Sequence, residues 1–432
     1  MTKRPNVLVF FTDQQRFDTV GIHGNPLDLT PNFDRMAEQG RLIRNSFTCQ
    51  PVCGPARSVF QTGKYATETG CYRNDIPLPK SEKTLAHYFG EAGYDTGYIG
   101  KWHLADREPV PRDQQGGYDD WLAANILEFA SWPYETNLFD RDGERHSLPG
   151  YRVDALADAA IQFIDQERDD PFFLFLSFLE PHHQNQNDNY PAPVGYADRI
   201  AKRIENYPPD LEALGGTTEV HYSGYMGMVA RLDEAFGRVI DALISRGELD
   251  NTIILFTSDH GCHFKTRNGE YKRSCHEASI RVPSLIAGPG LNGRGPIERY
   301  CSLVDLPPTL LDAAGVAVPE TMQGRSILRA TADEEDEIFV QISESLVGRA
   351  LRTRKWKYSV TDPDGDGWNQ SASLRYVESH LYDLENDPYE LDNLVLSPAH
   401  ADIRAALSKR LGARIIEAGE KAAEIVPAAQ AT

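Results

Sequence analysis

Residues Asn6 to Thr12 read Asn-Val-Leu-Val-Phe-Phe-Thr, a nearly unbroken run of apolar, β-branched and aromatic side chains. A run of this kind, without polar alternation, predicts a β-strand buried on both faces, as in a parallel sheet. Two more runs have the same character, at 171–179 (PFFLFLSFL) and at 252–257 (TIILFT). Amphipathic helices are predicted between and after them, at 153–167 and 222–246. Strands that alternate with helices through about residue 330 predict an α/β fold, a large mostly parallel sheet sandwiched by helices.

A pair of polar side chains, at least one of them titratable, follows each of these three strands within three residues. They are the pairs Asp13-Gln14, His182-His183 and Asp259-His260. Open α/β sheets place ligand chemistry at the carboxyl ends of their strands. One such residue alone is equally consistent with a turn or a helix cap. The recurrence after three strands predicts one shared site, and two aspartates with an amide oxygen and an imidazole can hold a hard divalent cation.

The segment 49–63 contains Cys53-Gly54-Pro55-Ala56-Arg57 and closes with Thr62-Gly63. Proline is tolerated in the first turn of a helix, so a helix beginning at Pro55 is predicted. Such a helix would direct its backbone donors and positive dipole end at position 53. Arg57 adds a guanidinium suited to a tetrahedral oxyanion. A buried structural cysteine ahead of a helix would give the same pentapeptide, so the rest of the chain must decide between the two interpretations.

Lys101 and His103 follow a short predicted strand at 94–100. Residues two apart in an extended segment project to the same side, which would bring both to the same site. The segment 105–150 is rich in Pro, Gly, Asp and aromatic residues and predicts a long, irregular, functional loop. The polar segment 184–215 predicts a lid or rim.

The C-terminal part of the chain has a different pattern. One more strand is predicted at 280–287, and an acidic cluster at 333–336 marks the predicted border between two domains. The expected domains are a catalytic α/β unit of residues 1–332 and a smaller α+β unit of residues 333–432. The smaller unit has predicted strands at 337–343, 350–353 and 355–360 and a helix at 401–421. These elements predict a small antiparallel sheet with a terminal helix.

Bulk composition narrows the class of protein. Of 432 residues, 41% are hydrophobic and 25% charged, which is typical of a soluble globular protein. The net charge of −20 argues against nucleic acid or an anionic membrane as the partner. An anionic substrate would therefore need a local cationic pocket. Six cysteines in a chain this long do not form a disulfide framework, and no leader or membrane span is evident. We expect a cytoplasmic protein with reduced thiols.

The motif Cys53-x-Pro55-x-Arg57 with Thr62-Gly63 resembles the signature of type I sulfatases, which belong to the alkaline phosphatase superfamily. The resemblance extends over essentially the whole chain, through segments 9–13, 53–63, 100–104, 181–182, 257–261, Lys272 with 279–283, and 381–388. In that family the cysteine is oxidised to formylglycine by a dedicated maturation enzyme. The resemblance implies a sulfuric ester hydrolase that acts on a small anionic ester, with a sulfated carbohydrate or small organic sulfate as substrate.

The resemblance also implies a role for each matching residue. The metal ligands would be Asp13, Gln14, Asp259 and His260 together with modified Cys53, and the ion Ca²⁺, with Mg²⁺ or Mn²⁺ as alternatives. One hydroxyl of hydrated formylglycine would attack sulfur, and the second would expel sulfate. The remaining catalytic residues would be Arg57 and Lys101 on the sulfate oxygens, His103 in hemiacetal breakdown, and His182 and Lys272 on the leaving oxygen.

Several alternatives stay open. His183 can replace or join His182, and His276 is either a substrate contact or a capping or core histidine. The pairs Asp13-Gln14 and Asp259-His260 depart from the Asp-Asp and Asp-Asn of many sulfatases and resemble those of phosphonate monoester hydrolases and phosphodiesterases, which also use formylglycine. Phosphonate monoester or phosphodiester hydrolysis is therefore the alternative activity. A binding protein that keeps Cys53 as a thiol is a third interpretation. The oligomeric state is left open.

Overall fold

A computed structural model describes residues 4–329 and 336–428 of the chain. The strands are β1 Asn6–Thr12, β2 Arg41–Phe47, β3 Asp95–Lys101, β4 Asp120–Ala124, β5 Thr136–Asp140, β6 Arg145–Leu148, β7 Phe172–Ser177, β8 Thr252–Ser258, β9 Leu285–Ala287, β10 Ile297–Ser302, β11 Glu337–Ile342, β12 Val347–Thr353, β13 Trp356–Asp362, β14 Arg375–Asp383 and β15 Glu424–Val426. The helices are α1 Pro31–Gln39, α2 Cys53–Thr62, α3 Ala66–Thr69, α4 Leu85–Glu91, α5 Leu127–Ala130, α6 Arg152–Ile164, α7 Tyr196–Ala201, α8 Pro209–Leu214, α9 Thr218–Ser245, α10 Glu277–Ile280, α11 Leu306–Ala313 and α12 Ala401–Glu417.

Ten strands form one sheet in the order β10-β2-β9-β8-β1-β7-β3-β4-β5-β6. The five central strands, from β8 to β4, are all parallel to one another. In the centre, Phe10 of β1 pairs with Phe256 of β8 on one side and with Leu176 of β7 on the other. The predicted large, mostly parallel sheet is confirmed, with antiparallel pairings at β9 and at the β4-β5-β6 edge.

Strand β1 is buried on both faces, as its apolar run predicts. Val7, Val9 and Phe11 belong to one hydrophobic cluster, and Leu8 and Phe10 belong to a second cluster on the other face. Helix α2 covers the first face, where the rings of Phe60 and Phe11 lie 5.0 Å apart between centroids. Helix α9 covers the second, with Phe236 5.1 Å from Phe10. Helices on both faces complete the sandwich.

A separate five-stranded sheet has the order β11-β12-β13-β14-β15. Its first four strands are antiparallel, as predicted, but β15 runs parallel to β14. The terminal helix α12 packs on this sheet. Its Leu411 lies in the same hydrophobic cluster as Phe339 of β11 and Tyr65, which lies between α2 and α3. The predicted border between residues 332 and 333 lies outside the described residues, so the division into domains 1–332 and 333–432 stays a prediction.

Three local predictions were wrong. The segment 105–150 is not an irregular loop, because β4, β5 and β6 extend the large sheet within it. The predicted strand at 280–287 is confined to β9, since α10 occupies the residues up to Ile280. Helix α2 begins at Cys53 instead of at Pro55, so the cysteine itself is in the first turn.

All six cysteines are buried and none forms a disulfide. Among the helices of the described residues, none has the length and apolar character that a membrane crossing would need.

Candidate active site

The carboxyl ends of β8, β1, β7 and β3 lie side by side and meet the start of α2. Strand β1 delivers Asp13, β8 delivers Asp259 and His260, and β3 ends at Lys101. Helix α2 adds Cys53 and, one turn later, Arg57. Each of these side chains is buried. The parallel register of the central sheet therefore gathers residues that lie more than 200 positions apart in the chain.

Four of these side chains form a compact group. One ligand atom each from Asp13, Cys53, Asp259 and His260 lies within 4.8 Å of the other three. The Cys53 sulfur is 3.2 Å from His260 Nε2 and 3.5 Å from Asp13 Oδ1. The other ring nitrogen, His260 Nδ1, donates to the carbonyl of Gly261 at 2.9 Å, which directs Nε2 into the group.

Gln14 lies next to this group. Its backbone has a positive φ of 67°, and its backbone N–H donates to Asp259 Oδ1 at 3.0 Å. The side-chain Nε2 donates to the hydroxyl of Tyr190 at 2.8 Å. Gln14 Oε1 and Asp259 Oδ2 are buried without a hydrogen-bond partner among the described residues. Two carboxylates, an imidazole and an unpaired amide oxygen are a donor set that suits a hard divalent cation.

Two cations contact the second carboxylate oxygen of Asp13. Its Oδ2 accepts from Arg57 Nη2 at 2.9 Å and lies 2.9 Å from Lys101 Nζ. Burial opposes ionisation of Asp13, but the charges of Lys101 and Arg57 outweigh it and hold the pKa of this carboxyl well below its usual range. For Asp259, burial and the nearby charge of Asp13 raise the pKa to about 7. The two carboxylates therefore repel each other, a situation that a bound cation relieves.

Arg57 is held in one orientation. Its Nη1 donates to the carbonyl of Lys101 at 2.8 Å and to the hydroxyl of Ser177 at 2.7 Å. The guanidinium is therefore tied to the ends of β3 and β7 as well as to Asp13. A fixed, desolvated cation of this kind can meet negative charge without rearrangement.

Glu128 is a part of the site that sequence reasoning missed. Its Oε1 lies 2.9 Å from Lys101 Nζ, and its other oxygen is buried without a partner among the described residues. Lys101 thus bridges two carboxylates, of Asp13 and Glu128. The residue lies in α5, directly after β4, so the failure to predict that strand hid the strand-end position that would have singled it out.

Lys272 contacts Cys53, and His182 in turn contacts Lys272. Lys272 Nζ is 2.7 Å from the Cys53 sulfur and 3.0 Å from His182 Nε2. His182 Nδ1 donates to the carbonyl of His183 at 2.7 Å, so Nε2 is the acceptor that faces the ammonium. Burial and the charge of Lys272 hold the pKa of His182 well below its usual range, which keeps the imidazole neutral.

The other histidines are placed differently. His183 stacks on His182 and on Tyr271, with ring centroids 4.3 Å and 4.5 Å away. His103 is near Lys101, and burial and the Lys101 charge lower its pKa to about 4. Its φ is 62°, so the extended geometry predicted for 101–103 was wrong. His276 is buried, and its ring nitrogens face Ser274 and Tyr382, which are the contacts of a core histidine.

The thiol of Cys53 is set for ionisation. Burial and Asp13 oppose the thiolate, but Lys101, Lys272 and His260 outweigh them and lower its pKa to about 7. A structural cysteine in an apolar surrounding shows the opposite shift, as Cys49 does, where burial raises the pKa to about 12. The environment of Cys53 is thus chemically distinct from that of a structural cysteine such as Cys49.

Comparison with known proteins agrees with this geometry. The Sulfatase family model matches residues 5–316. The ulvan-active sulfatase of Formosa agariphila is 28% identical, over 97% of this chain and 82% of its own length. The N-acetylglucosamine-6-O-sulfatase of Bacteroides thetaiotaomicron is 26% identical, over 91% of this chain and 83% of its own length.

Solved structures share the fold. The putative sulfatase yidJ from Bacteroides fragilis superposes with a TM-score of 0.83 at 24% identity, covering 96% of both chains. A second structure, in complex with its substrate D-glucosamine-2-N,6-O-disulfate, superposes with a TM-score of 0.78 at 24% identity, over 96% of this chain and 98% of its own. Fold, clustered site and family match lead to one conclusion. The chain belongs to the sulfatase family of sulfuric ester hydrolases, within the alkaline phosphatase superfamily.

Proposed function

We propose that the protein releases inorganic sulfate from a sulfated carbohydrate, with a formylglycine made from Cys53 as the nucleophile. The observation that carries the proposal is the position of Cys53, whose sulfur lies 3.5 Å from Asp13 and 2.7 Å from Lys272. The nucleophile position is therefore flanked by carboxylates on one side and by a proton donor on the other. Sulfated sugars are favoured as substrates because relatives and a structural neighbour act on them.

Asp13, Asp259 and His260 would hold a divalent cation, and we assign the unpaired oxygen of Gln14 as a fourth ligand. We propose Ca²⁺, because three of these four ligands are oxygen donors, with Mg²⁺ and Mn²⁺ as alternatives. When bound, such an ion supplies Lewis-acid stabilisation of negative oxygen. The residues themselves hold the ligand atoms in place, since each follows the end of a central strand.

Arg57 and Lys101 provide fixed positive charge for the sulfate oxygens. Both contact Asp13 Oδ2, and neither is more than 2% exposed. In this dry surrounding, two cations stabilise charge that grows on the sulfate oxygens far better than they would in water. His103 lies near them, and its pKa of about 4 keeps it neutral and able to accept a proton during release of sulfate.

Lys272 is the group we assign to the leaving oxygen, together with His182. Because His182 Nε2 accepts from Lys272 Nζ at 3.0 Å, the ammonium is oriented toward Cys53 with protons to donate. His182 then acts by holding Lys272 in this orientation. His183 contacts His182 by stacking alone, so we place it at the rim as a substrate contact.

Three exposed aromatic residues follow Glu128 within six positions of the chain. Phe129, Trp132 and Tyr134 are 59%, 42% and 52% exposed. Aromatic faces beside a polar pocket suit the apolar faces of sugar rings. The phosphonate or phosphodiester alternative depends on the pairs Asp13-Gln14 and Asp259-His260, and it receives less support because the matched family model and these relatives are sulfatases. A cytoplasmic location stays a prediction.

The test is to express the protein with and without a formylglycine-generating enzyme. Mass spectrometry of the peptide containing Cys53 reports conversion, and sulfate release from sulfated monosaccharides and p-nitrophenyl sulfate reports activity. We expect activity to follow conversion and to be lost in Cys53→Ala. Conversion without hydrolysis of any sulfate ester, together with hydrolysis of a phenylphosphonate monoester, would replace the proposal by its alternative.

A further inference from the structure

A second group of side chains contacts Gly54, the residue after Cys53. Asn74 accepts the backbone N–H of Gly54 with its Oδ1 at 2.9 Å, so the segment 72–74 rests on the first turn of α2. The backbone N–H of Asn74 in turn donates to Glu344 Oε1 at 2.6 Å. Glu344 belongs to the turn between β11 and β12. The C-terminal sheet therefore reaches the residue next to the proposed nucleophile.

Arg73 is the cation of this group. Its Nη1 donates to the carbonyl of Asn74 at 2.8 Å, and its guanidinium lies over the Trp368 ring, 4.6 Å from the centroid. In the described part of the chain it forms no ion pair with a carboxylate, and its Nε is buried without a partner. In a chain with a net charge of −20, an arginine that pairs with no carboxylate of the described residues retains donors for a ligand.

Trp368 provides an apolar face beside this cation. It is 40% exposed, in the loop between β13 and β14. The hydroxyl of Tyr72 donates to its carbonyl at 3.4 Å, and the N–H of Glu344 donates to the carbonyl of Gly367 at 2.7 Å. The loop is therefore fastened to the same two segments that support Asn74. An exposed indole in a fixed loop is a typical platform for a sugar ring.

A second connection joins this loop to the leaving-group side. Arg273 pairs with Glu344 at 2.5 Å, and it directly follows Lys272, whose ammonium contacts the Cys53 sulfur. The pair of Arg73 and Trp368 is thus linked to both sides of position 53. A substrate that extends out of the pocket past Lys272 would meet it.

We propose that Arg73 and Trp368 form a subsite for an acidic sugar, which makes an oligosaccharide with a second anionic group the preferred substrate. Trp368 would stack on the sugar ring, and Arg73 would pair with its carboxylate or second sulfate. This inference rests on the proposed sulfatase activity, and it adds a requirement that a simple sulfate ester does not meet. The cation–π contact places the guanidinium of Arg73 over the indole, so the cation and the apolar ring lie side by side at this subsite.

The test compares two substrates on the matured protein. One is a sulfated disaccharide with a uronate carboxylate next to the sulfated sugar, and the other is p-nitrophenyl sulfate. For Arg73→Ala we expect the ratio of kcat/KM values, disaccharide over aryl sulfate, to fall about 10- to 100-fold, as for loss of a charge-assisted contact. Trp368→Ala should lower the same ratio, and Arg73→Lys should restore part of it.

Arg246→Ala is the matched control. It also removes one positive charge. Arg246 follows the end of α9 and lies near the amino end of β8, whereas the site lies at the carboxyl ends of the central strands. Its ratio should equal that of the wild-type protein. A wild-type protein that hydrolyses aryl sulfate while Arg73→Ala leaves the ratio unchanged overturns the subsite alone. A wild-type protein that hydrolyses neither ester overturns the proposed function and the subsite with it. Thermal melting of each variant reports whether it is folded.

Discussion

The hydroxyl of Tyr190 orients the amide of Gln14, and Tyr190→Phe removes only that hydroxyl. Gln14 Nε2 donates to it at 2.8 Å, and the next contact of the same nitrogen is the Cys262 sulfur at 3.6 Å. With Nε2 fixed by Tyr190, Oε1 has no hydrogen-bond partner among the described residues, and it is free to bind a cation. In the variant the amide loses its main restraint, and its nitrogen is left buried with a weak sulfur contact.

The expected loss follows from the type of contact. A net buried hydrogen bond contributes about 1 kcal/mol, and loss of a partner that orients a metal ligand typically costs about 10- to 100-fold in metal affinity. That range corresponds to about 1.4–2.7 kcal/mol of binding free energy. Because Asp13, Asp259 and His260 are untouched, binding should weaken without being abolished.

Calorimetric titration of metal-free protein with Ca²⁺ measures this directly, without need for turnover. Tyr358→Phe is the control, because it removes a buried hydroxyl that contacts Glu378 at 3.1 Å in the C-terminal sheet. We expect full Ca²⁺ affinity in the control. If Tyr190→Phe binds Ca²⁺ within twofold of the wild-type protein, Gln14 is not a ligand oriented by Tyr190 and the proposed ligand set must be reduced.

Three more results are expected. Glu128→Gln removes one of the two carboxylates at Lys101, so kcat/KM for aryl sulfate should fall about tenfold or more while Ca²⁺ affinity stays the same; unchanged kcat/KM would contradict its role. Lys357→Met leaves two buried glutamates without the ammonium that contacts each of them at 2.7 Å, so urea titration should show that the free energy of unfolding falls by about 3–5 kcal/mol. The control Arg354→Met removes an exposed ion pair and should lower it by less than about 1 kcal/mol. Equal losses in the two variants would refute the distinction between buried and exposed pairs. Ca²⁺ at 100 times its Kd should add about 2.7 kcal/mol to the free energy of unfolding and EDTA should reverse this, whereas a melting temperature insensitive to both would argue against a bound ion.

The central strands could be predicted because burial on both faces leaves a clear signal. Strands β1, β7 and β8 are continuous apolar runs, and no surface helix has that pattern. Once those strands were placed, the rule for carboxyl ends singled out Asp13 and Asp259 without any knowledge of distances. The register of the sheet then brought them together.

The edge of the sheet could not be predicted in the same way. Strands β4, β5 and β6 have four or five residues each and are partly exposed, so their sequence resembles that of a loop. Glu128 was missed with them. His103 was misjudged for another reason, since a positive φ in a residue other than glycine is set by packing and leaves no mark in the sequence. The side-chain hydrogen-bond partners of Gln14 and Arg57 come from distant parts of the chain, so the local sequence does not indicate them.

All ten residues of α2 are buried, and Cys53 exposes 1% of its surface. A macromolecular catalyst needs several residues around its target in an accessible, extended form, and the folded protein offers it none of α2. The proposed oxidation of Cys53 would therefore require the maturation enzyme to act early, on the nascent or unfolded polypeptide. Chains that fold before oxidation would keep Cys53 as a thiol. The relative timing of folding and oxidation would then decide what fraction of the molecules becomes active enzyme.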